Sequence, residues 1–312
     1  MSAARLDLKS SLEAALGAEV AEGAALSAHT SFRIGGPAAM LARASRVEQI
    51  AEALAIASRA EIPALVLGGG TNLLVSDGGF DGLALCVELD GISIDVGGRS
   101  VTAGAGVPTA ALVERLVSEG FAGLEFAAGL PGTIGGAISG NAGCFGGAMG
   151  DRLKAATLVA RDGAILEVRD PSWFAFGYRC SRIVKTGAVI ARATFAVEPG
   201  DRARLEEIAA ERVAARREKH PAPGVRTAGS YFKNLPPESP GGMRRAAGAL
   251  LDQVGAKAMR VGDAAVFERH ANIIVNVGSA SAKDVLALAE RMRAAVRDRF
   301  GVELEPEVRF VG

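Results

Sequence analysis

Cysteine and histidine are scarce in this 312-residue chain, with three residues of each type, and their scarcity argues against several kinds of site. Cys86, Cys144 and Cys180 are odd in number and form no C-x-x-C pair, which disfavours disulfides, zinc and a dithiol redox centre. No H-E-x-x-H motif occurs either. We therefore expect no metal centre, and we interpret the cysteines as small buried apolar residues.

An excess of charge of either sign is also missing, since 35 Lys and Arg balance 35 Asp and Glu. This balance gives no reason to expect nucleic acid or an anionic membrane as the main partner, so any anion site must be a local concentration of charge. No apolar run of about 18 residues occurs, and the start lacks the apolar region of a signal peptide. We expect a cytoplasmic monomer without membrane insertion.

The two common nucleotide-binding motifs are absent as well. Neither G-x-x-x-x-G-K-[ST] nor G-x-G-x-x-G is found in the chain. A P-loop kinase and a Rossmann dehydrogenase both lose support.

What the sequence has instead is glycine, most densely in a stretch from Gly129 to Gly150, where nine of 22 residues are glycine. Glycine lets backbone N–H groups approach a ligand closely, so that successive amides can bind an anion. The alternative is a plain surface loop, but embedded apolar residues such as Ile134 and Ile138 argue against it. We interpret the stretch as a buried loop around a large, partly apolar, phosphorylated ligand.

A second glycine loop precedes it. The run from Ile62 to Leu67 predicts a buried strand that leads directly into Gly68-Gly69-Gly70-Thr71-Asn72, and Leu73 begins a further apolar run. Two such loops can grip one diphosphate from two sides. A dinucleotide bound outside the Rossmann fold is the natural candidate.

The length predicts two or three domains. Patterning predicts strands alternating with helices, with Arg46 to Ala60, Pro108 to Gly120 and Ala282 to Phe300 as helices. A charged helix from Arg202 to His220 follows a Pro-Gly linker and ends in a basic run. That run is either a solvated face or an anion site, and the pattern alone leaves both open.

Eight motifs, in this order along the chain, give it a resemblance to a known family: Thr30-Ser31-Phe32-Arg33-Ile34-Gly35-Gly36, Gly68-Gly69-Gly70-Thr71-Asn72-Leu73-Leu74, Gly129-Leu130-Pro131-Gly132-Thr133-Ile134-Gly135-Gly136, Asn141-Ala142-Gly143, Gly177-Tyr178-Arg179-Cys180-Ser181, Gly229-Ser230-Tyr231-Phe232-Lys233-Asn234, His270-Ala271-Asn272 and Glu305-Pro306-Glu307-Val308-Arg309. The chain resembles the UDP-N-acetylenolpyruvoylglucosamine reductases, in their shorter subtype.

The resemblance implies an α+β fold, with a two-subdomain FAD-binding module of the vanillyl-alcohol oxidase (PCMH) type and a smaller α/β substrate-binding domain. Expected bounds are 1–82 and 83–200 for the two FAD-binding subdomains, with a C-terminal strand from 301–312 joined to the second, and 201–300 for the substrate-binding domain. It implies non-covalent FAD, NADPH as hydride donor and a UDP-sugar substrate. The implied FAD-binding residues are Arg33, Gly68, Gly69, Gly70, Thr71, Asn72, Leu73, Gly132, Thr133, Ile134, Gly135, Gly136, Asn141, Ala142, Gly143 and Arg309.

In the implied reaction, hydride from the flavin reaches the enolpyruvyl methylene carbon, and the neighbouring carbon must then be protonated. By the same resemblance, Arg179 pairs with the enolpyruvyl carboxylate, Glu307 helps to stabilise the enolate and Ser230 is the proton donor. Substrate-binding residues would be Arg216, Lys219, Lys233 and Asn234. Each catalytic residue alone has an ordinary structural alternative: a capping arginine, an exposed carboxylate and a turn serine.

Two other functions compete with this one. An FAD oxidase of the same fold acting on an alcohol or a sugar would be favoured by a covalent flavin, for which only His29 lies near an FAD motif. The other is a non-catalytic nucleotide-sugar binding protein. Retention of Arg179, Ser230 and Glu307 together argues against it.

Overall fold

The computed structural model describes residues 3–239 and 242–312, with side chains from residue 7 onward. The chain divides into two compact units. The first comprises the residues up to Ala24, Ala38–Gly69 and Asp81–Ala215. The second comprises Ala25–Pro37, Gly70–Phe80 and Arg216–Gly312. The three-domain bounds expected from the sequence stay a prediction.

The first unit contains two main sheets. One has four strands in the order Ala21–Glu22, Ala38–Ala44, Phe80–Val87 and Ala64–Leu67, with the last two parallel. The other is antiparallel, with five strands in the order Ile165–Val168, Leu153–Val159, Val189–Ala196, Ser100–Gly104 and Ile92–Asp95. Two short pairs complete it, Gly143–Cys144 with Gly147–Ala148 and Phe121–Ala122 with Glu198–Pro199.

Its helices are Ala3–Leu16, Val47–Arg59, Thr109–Ser118, Ile134–Ser139, Arg182–Thr186 and Arg202–Lys219, the last of which ends within the second unit. In these helices, apolar residues recur three and four positions apart, as the helical period requires. In Val47–Arg59 the buried residues include Val47, Ile50, Leu54 and Ala57, so that one stripe of this helix joins the core of the first unit.

The second unit has an antiparallel sheet in the order Thr227–Ser230, Ile273–Asn276, Ala264–Val266 and Arg260–Val261, with helices Ala247–Gln253 and Ala282–Phe300. The last helix begins at a capping box, in which Ser281 Oγ accepts the Asp284 N–H and Asp284 accepts the Ser281 N–H. It ends at Gly301, whose φ of 66° is left-handed.

Three expectations need correction. The stretch from Gly129 to Gly150 is not a continuous loop, because Ile134–Ser139 is helical: Ile134 and Ile138, four residues apart, are both fully buried. The C-terminal strand is only Arg309–Val311, and it pairs in parallel with Leu73–Val75 rather than with a strand of residues 83–200. Of the cysteines only Cys86 is buried, and the other two are partly exposed.

Most of the predicted helices and strands are confirmed to within two or three residues, and Ala282–Phe300 matches at both ends. Across the described residues, no helix is both long enough and apolar enough to cross a membrane.

Candidate functional site

The two glycine loops meet in the first unit. Gly68 follows the strand Ala64–Leu67, and a Cβ added to Gly68 would lie 2.4 Å from Thr133 Oγ1. Thr133 Oγ1 is buried and has no hydrogen-bond partner among the described residues. Only glycine permits this approach, so the meeting of the loops expected for a shared ligand is present.

The backbone from Gly132 to Gly136 is fixed by the neighbouring chain. The Gly132 carbonyl accepts the Thr109 N–H at 3.0 Å, and the N–H groups of Ile134 and Gly135 each donate at 2.9 Å, to the carbonyls of Val107 and Ala105. Gly136, in the first turn of the helix, is exposed, and an added Cβ there would have only Thr133 Oγ1, at 3.8 Å, as a neighbour. The turn thus holds the exposed backbone of Gly136 on a rigid support, where a large ligand can approach closely.

Asn141 links this region to the turn that carries Arg179. Its backbone has a left-handed φ of 43°, which asparagine tolerates better than most residues. Asn141 Nδ2 donates to the Gly177 carbonyl at 3.0 Å, and Oδ1 accepts the Gly150 N–H at 2.9 Å. In the protein alone, the Asn141 side chain therefore connects the backbone at Gly177 with the backbone at Gly150 by hydrogen bonds.

Arg179 lies in a tight turn closed by mutual backbone hydrogen bonds between Gly177 and Cys180. Its φ is 52°, a left-handed value that is uncommon for arginine. The guanidinium lies over the Tyr178 ring and donates from Nη1 to the Gly143 carbonyl at 3.2 Å. The structure thus brings Arg179 to the glycine-rich stretch.

Position 70, in the second unit, requires glycine because of its backbone conformation and its close neighbour. Its φ is 59°, and an added Cβ would lie 2.0 Å from the His29 carbonyl oxygen. Asn72, two residues on, donates from Nδ2 to the Glu307 carbonyl at 3.1 Å. The resemblance implies Asn72 as an FAD-binding residue, and in the protein alone its amide holds the segment that carries Glu307.

Ser230 follows a β-bulge. Thr227 is opposite Val275 and Ser230 is opposite Ile273, so the Ser230 strand has one extra residue over this interval. Gly229 takes the left-handed φ of 78° there, and its N–H donates to Thr227 Oγ1 at 3.1 Å. Bulges of this kind change the direction of the side chain that follows, so this one fixes how Ser230 is presented.

Tyr231, the residue after Ser230, links Ser230 to Glu307 through its backbone. The carbonyl of Tyr231 accepts the Glu307 N–H at 2.7 Å and the Val308 N–H at 3.4 Å. Both Ser230 and Glu307 are partly exposed. Burial of the Tyr231 ring raises the pKa of its hydroxyl to about 12, so Tyr231 is a neutral phenol at this position.

The basic run at the end of helix Arg202–Lys219 is braced by Arg269. Arg269 Nη1 donates to the carbonyls of Arg217 and Glu218 at 3.1 and 3.3 Å. Cations favour the C-terminal end of a helix. This bracing fixes the helix end from which Arg216 and Lys219 project.

Lys233 and Asn234 have partners of their own. Lys233 Nζ forms an ion pair with Glu305, whose side chain is largely exposed. Asn234 Oδ1 accepts the Ala247 N–H at 3.2 Å, at the start of helix Ala247–Gln253, and the Asn234 carbonyl accepts from the Arg244 guanidinium. A ligand at Lys233 would therefore compete with Glu305.

Arg33 and Arg309 are both exposed. Arg33 has a left-handed φ of 57°, and its Nη1 donates to the Ala28 carbonyl at 2.9 Å. The Arg309 N–H donates to the Asn72 carbonyl at 3.1 Å, which aligns the short C-terminal strand with the strand Leu73–Val75.

Comparisons with known proteins bear on the family and the fold of this chain. Residues 220–311 match the family described as UDP-N-acetylenolpyruvoylglucosamine reductase, C-terminal domain, and residues 38–169 match an FAD binding domain. UDP-N-acetylenolpyruvoylglucosamine reductase 2 of Symbiobacterium thermophilum is 41% identical, over 92% of this chain and 90% of that protein. The reductase of Geobacter metallireducens is 40% identical over 98% of each. The chain belongs to the UDP-N-acetylenolpyruvoylglucosamine reductase family.

A solved structure extends the agreement to the fold. The crystal structure of the Thermus caldophilus reductase is 33% identical, with a TM-score of 0.77, and the match covers 94% of this chain and 98% of that one. The predicted family and the α+β FAD-binding fold are confirmed. The chain is an oxidoreductase of peptidoglycan precursor synthesis that uses FAD and NADPH. The roles of individual residues stay predictions.

Sequence reasoning did not anticipate a pair of histidines beside the basic helix end. The rings of His220 and His270 are 5.3 Å apart. Burial, then the charge of Arg216, lowers the pKa of His220 to about 4, and burial also lowers the pKa of His270. The motif that contains His270 was noted in the sequence, but nothing in either local sequence indicates that the two rings meet.

Proposed function

We propose that the enzyme reduces UDP-N-acetyl-3-O-(1-carboxyvinyl)-glucosamine to UDP-N-acetylmuramate with Arg179, Ser230 and Glu307 as its catalytic residues. When bound, FAD supplies the hydride chemistry, since it accepts hydride from NADPH and delivers it to the methylene carbon. The protein must then stabilise the negative charge that develops next to the substrate carboxylate, and must supply a proton.

Ser230 is the proposed proton donor to the carbon next to the carboxylate. The observation that carries this role is its placement: the bulge at Gly229 sets its direction, and the Tyr231 carbonyl holds Glu307 one residue away. A serine hydroxyl is a weak acid, so it gives up its proton only as negative charge develops on the carbon. The backbone of Glu307 is thus hydrogen-bonded to the residue that follows the proposed donor.

Arg179 is proposed to pair with the substrate carboxylate. Its Nη1 is anchored to the Gly143 carbonyl, and a guanidinium has further N–H donors in its planar fork that suit a carboxylate. Glu307 is proposed to help stabilise the enolate. Its backbone is fixed on both sides, by Tyr231 at its N–H and by Asn72 at its carbonyl.

The FAD-binding residues are proposed as a set. The fit rests on the approach of Gly68 to Thr133 and on the exposed backbone of Gly136, since a large cofactor needs surface that no side chain fills. The set comprises Arg33, Gly68, Gly69, Gly70, Thr71, Asn72, Leu73, Gly132, Thr133, Ile134, Gly135, Gly136, Asn141, Ala142, Gly143 and Arg309.

Arg216 and Lys219 are proposed to bind the diphosphate of the UDP-sugar, with Lys233 and Asn234 as further substrate contacts. An arginine fork with a lysine point charge suits two phosphates. The support is the brace that Arg269 gives to this helix end.

We further propose that the enzyme is a cytoplasmic monomer with domains at residues 1–82, 83–200 and 201–300, without the C-terminal strand that was expected to join the second of them. Size-exclusion chromatography with light scattering would test the first point, and a mass of two chains would contradict it. Limited proteolysis at the exposed residues 198–201 would test the bound between the second and the third domain.

Stopped-flow flavin absorbance on the Ser230→Ala variant tests the catalytic assignment. A proton donor to the substrate has no task while NADPH reduces FAD, so flavin reduction should stay near the wild-type rate. Flavin reoxidation by the enolpyruvyl substrate should slow by at least the roughly 10²–10⁴-fold usual for one general acid. Equal slowing of both half-reactions would make Ser230 a structural residue. Ser230→Cys, a more acidic donor at nearly the same place, should recover part of the lost rate.

A further inference from the structure

Asn272 belongs to a motif, His270-Ala271-Asn272, to which the proposed function gives no role. Its side chain is 2% exposed and lies at the start of the strand Ile273–Asn276. Oδ1 accepts the Phe232 N–H at 2.9 Å, and Nδ2 donates to the Phe232 carbonyl at 2.8 Å. One buried amide therefore satisfies both backbone groups of a single residue, two positions after Ser230.

The backbone of Asn272 adds a third hydrogen bond to the same segment. Its carbonyl accepts the Tyr231 N–H at 2.7 Å, so that Tyr231 and Phe232 are both bonded to Asn272. On its other side, the segment accepts the Glu307 N–H at the Tyr231 carbonyl, and Phe232 forms an isolated bridge with Pro306. Asn272 thus fixes the connection between the two residues proposed to handle the proton and the charge.

The chemistry of the site requires an amide. Asparagine offers a donor and an acceptor on one short side chain, which is what the N–H and carbonyl of Phe232 need. An aspartate in the same place has only acceptors when ionised, and it would face the Phe232 carbonyl with a negative charge. An alanine leaves two buried backbone groups without this partner.

We infer that Asn272 is a positioning residue, which holds the segment Ser230–Phe232 so that Ser230 lies correctly for proton transfer beside Glu307. This inference rests on the proposed role of Ser230. An amide does not itself exchange protons in this reaction, so Asn272 acts only through the geometry of Ser230.

The test measures both half-reactions by stopped-flow on flavin-loaded Asn272→Ala and Asn272→Asp. Flavin reduction by NADPH should stay within about threefold of wild type. Reoxidation by the enolpyruvyl substrate should slow at least tenfold. Equal slowing of the two half-reactions, or no slowing, would overturn the inference. Asn272→Asp also keeps the question open to experiment if Asn272→Ala does not fold, because the carboxylate still accepts the Phe232 N–H.

A pH profile of Asn272→Asp separates positioning from general loosening. Burial raises the pKa of a carboxyl group, and a protonated aspartate regains a donor for the Phe232 carbonyl. Reoxidation by this variant should therefore recover relative to wild type as the pH falls from 8 to 5.5. A constant ratio over that range would overturn the inference.

Gln49→Ala is the matched control. Gln49 is likewise a buried amide that accepts two backbone N–H groups, of Ser45 and Arg46, and donates to the Leu16 carbonyl. It should lower the melting temperature without changing the ratio of the two half-reaction rates.

The double variant Ser230→Ala with Asn272→Asp distinguishes the two proposals. If Asn272 acts through Ser230, the double variant should be no slower in reoxidation than Ser230→Ala alone, because the effects of coupled residues do not add. If the two substitutions instead multiply their effects on the reoxidation rate, the role of Asn272 is overturned and the proposed role of Ser230 stands. A Ser230→Ala variant with normal reoxidation would instead overturn the proposed function.

Discussion

Two adjacent glycines offer a test of whether the helix Ile134–Ser139 binds FAD through bare backbone. Gly135 and Gly136 are neighbours in the same first turn, and neither has a left-handed φ. Alanine is therefore compatible with the backbone at both positions, and only the surroundings of the new Cβ differ.

The structure assigns the two substitutions opposite effects on the protein without cofactor. At Gly136 a Cβ would make only an ordinary contact at 3.8 Å, so Gly136→Ala should stabilise the helix by about 0.5–1 kcal/mol. At Gly135 the Cβ would lie 2.9 Å from the Ala105 Cβ, and overpacking of that kind costs about 1–3 kcal/mol. The melting temperature of the flavin-free protein should rise for Gly136→Ala and fall for Gly135→Ala.

With cofactor the expectation for Gly136→Ala reverses. If FAD lies on the exposed backbone of Gly136, a methyl group occupies space that the cofactor needs, and the Kd for FAD should rise at least tenfold, which is about 1.4 kcal/mol. Fluorescence titration of the flavin-free protein with FAD, beside its thermal melting curve, measures both quantities. A Gly136→Ala protein that is more stable and binds FAD with the wild-type Kd would refute the reasoning.

Two further predictions concern the basic helix end. Arg216→Ala and Lys219→Ala should each raise the KM for the UDP-sugar with a smaller effect on kcat, because a diphosphate clamp remote from the reacting carbons binds ground state and transition state alike. Steady-state kinetics check this. An unchanged KM in both variants would mean that these residues form a solvated helix face and do not bind the diphosphate. The pKa of His220, about 4 in the folded protein against an ordinary 6.5, means that the unfolded chain binds the extra proton between these values. Stability should therefore fall as the pH drops from about 6.5 towards 4, and His220→Gln, which keeps the cations Arg216 and Lys219 beside it, should lose less stability than wild type between pH 7 and pH 5 in urea unfolding. A steeper loss in the variant would contradict the assignment.

The local sequence was sufficient for the features that depend on neighbouring residues. Periodic apolar residues placed the helix Ala282–Phe300, and the glycine content of Gly68–Gly70 and of Gly129–Gly150 showed that these stretches carry few bulky side chains. That a ligand lies against their backbone stays a prediction. These signals are local because they arise from φ/ψ freedom and from the spacing of side chains along one element. The eight ordered motifs then identified the family, since their order is itself a property of the sequence.

Other features were decided only by the tertiary structure. Asn72 and Glu307 are 235 residues apart, and their hydrogen bond exists because two segments of the second unit lie side by side. The resemblance implies Asn72 as an FAD-binding residue, and no local pattern shows that its amide also holds a carbonyl of the chain. Which partner a polar side chain finds depends on what lies within about 3 Å of it in space, and no pattern along the chain specifies that distance.

The same limit explains Asn272 and the glycine-rich stretch. An asparagine in a short motif carries no local sign that both its amide atoms bond Phe232, because Phe232 reaches it only through the pairing of two strands. Glycine in Gly129–Gly150 disfavours a helix without forbidding it, and the burial of Ile134 and Ile138 in the core decides for the helix. Composition therefore determined which stretches carry few bulky side chains, while packing determined the shape of those stretches and which side chains they position.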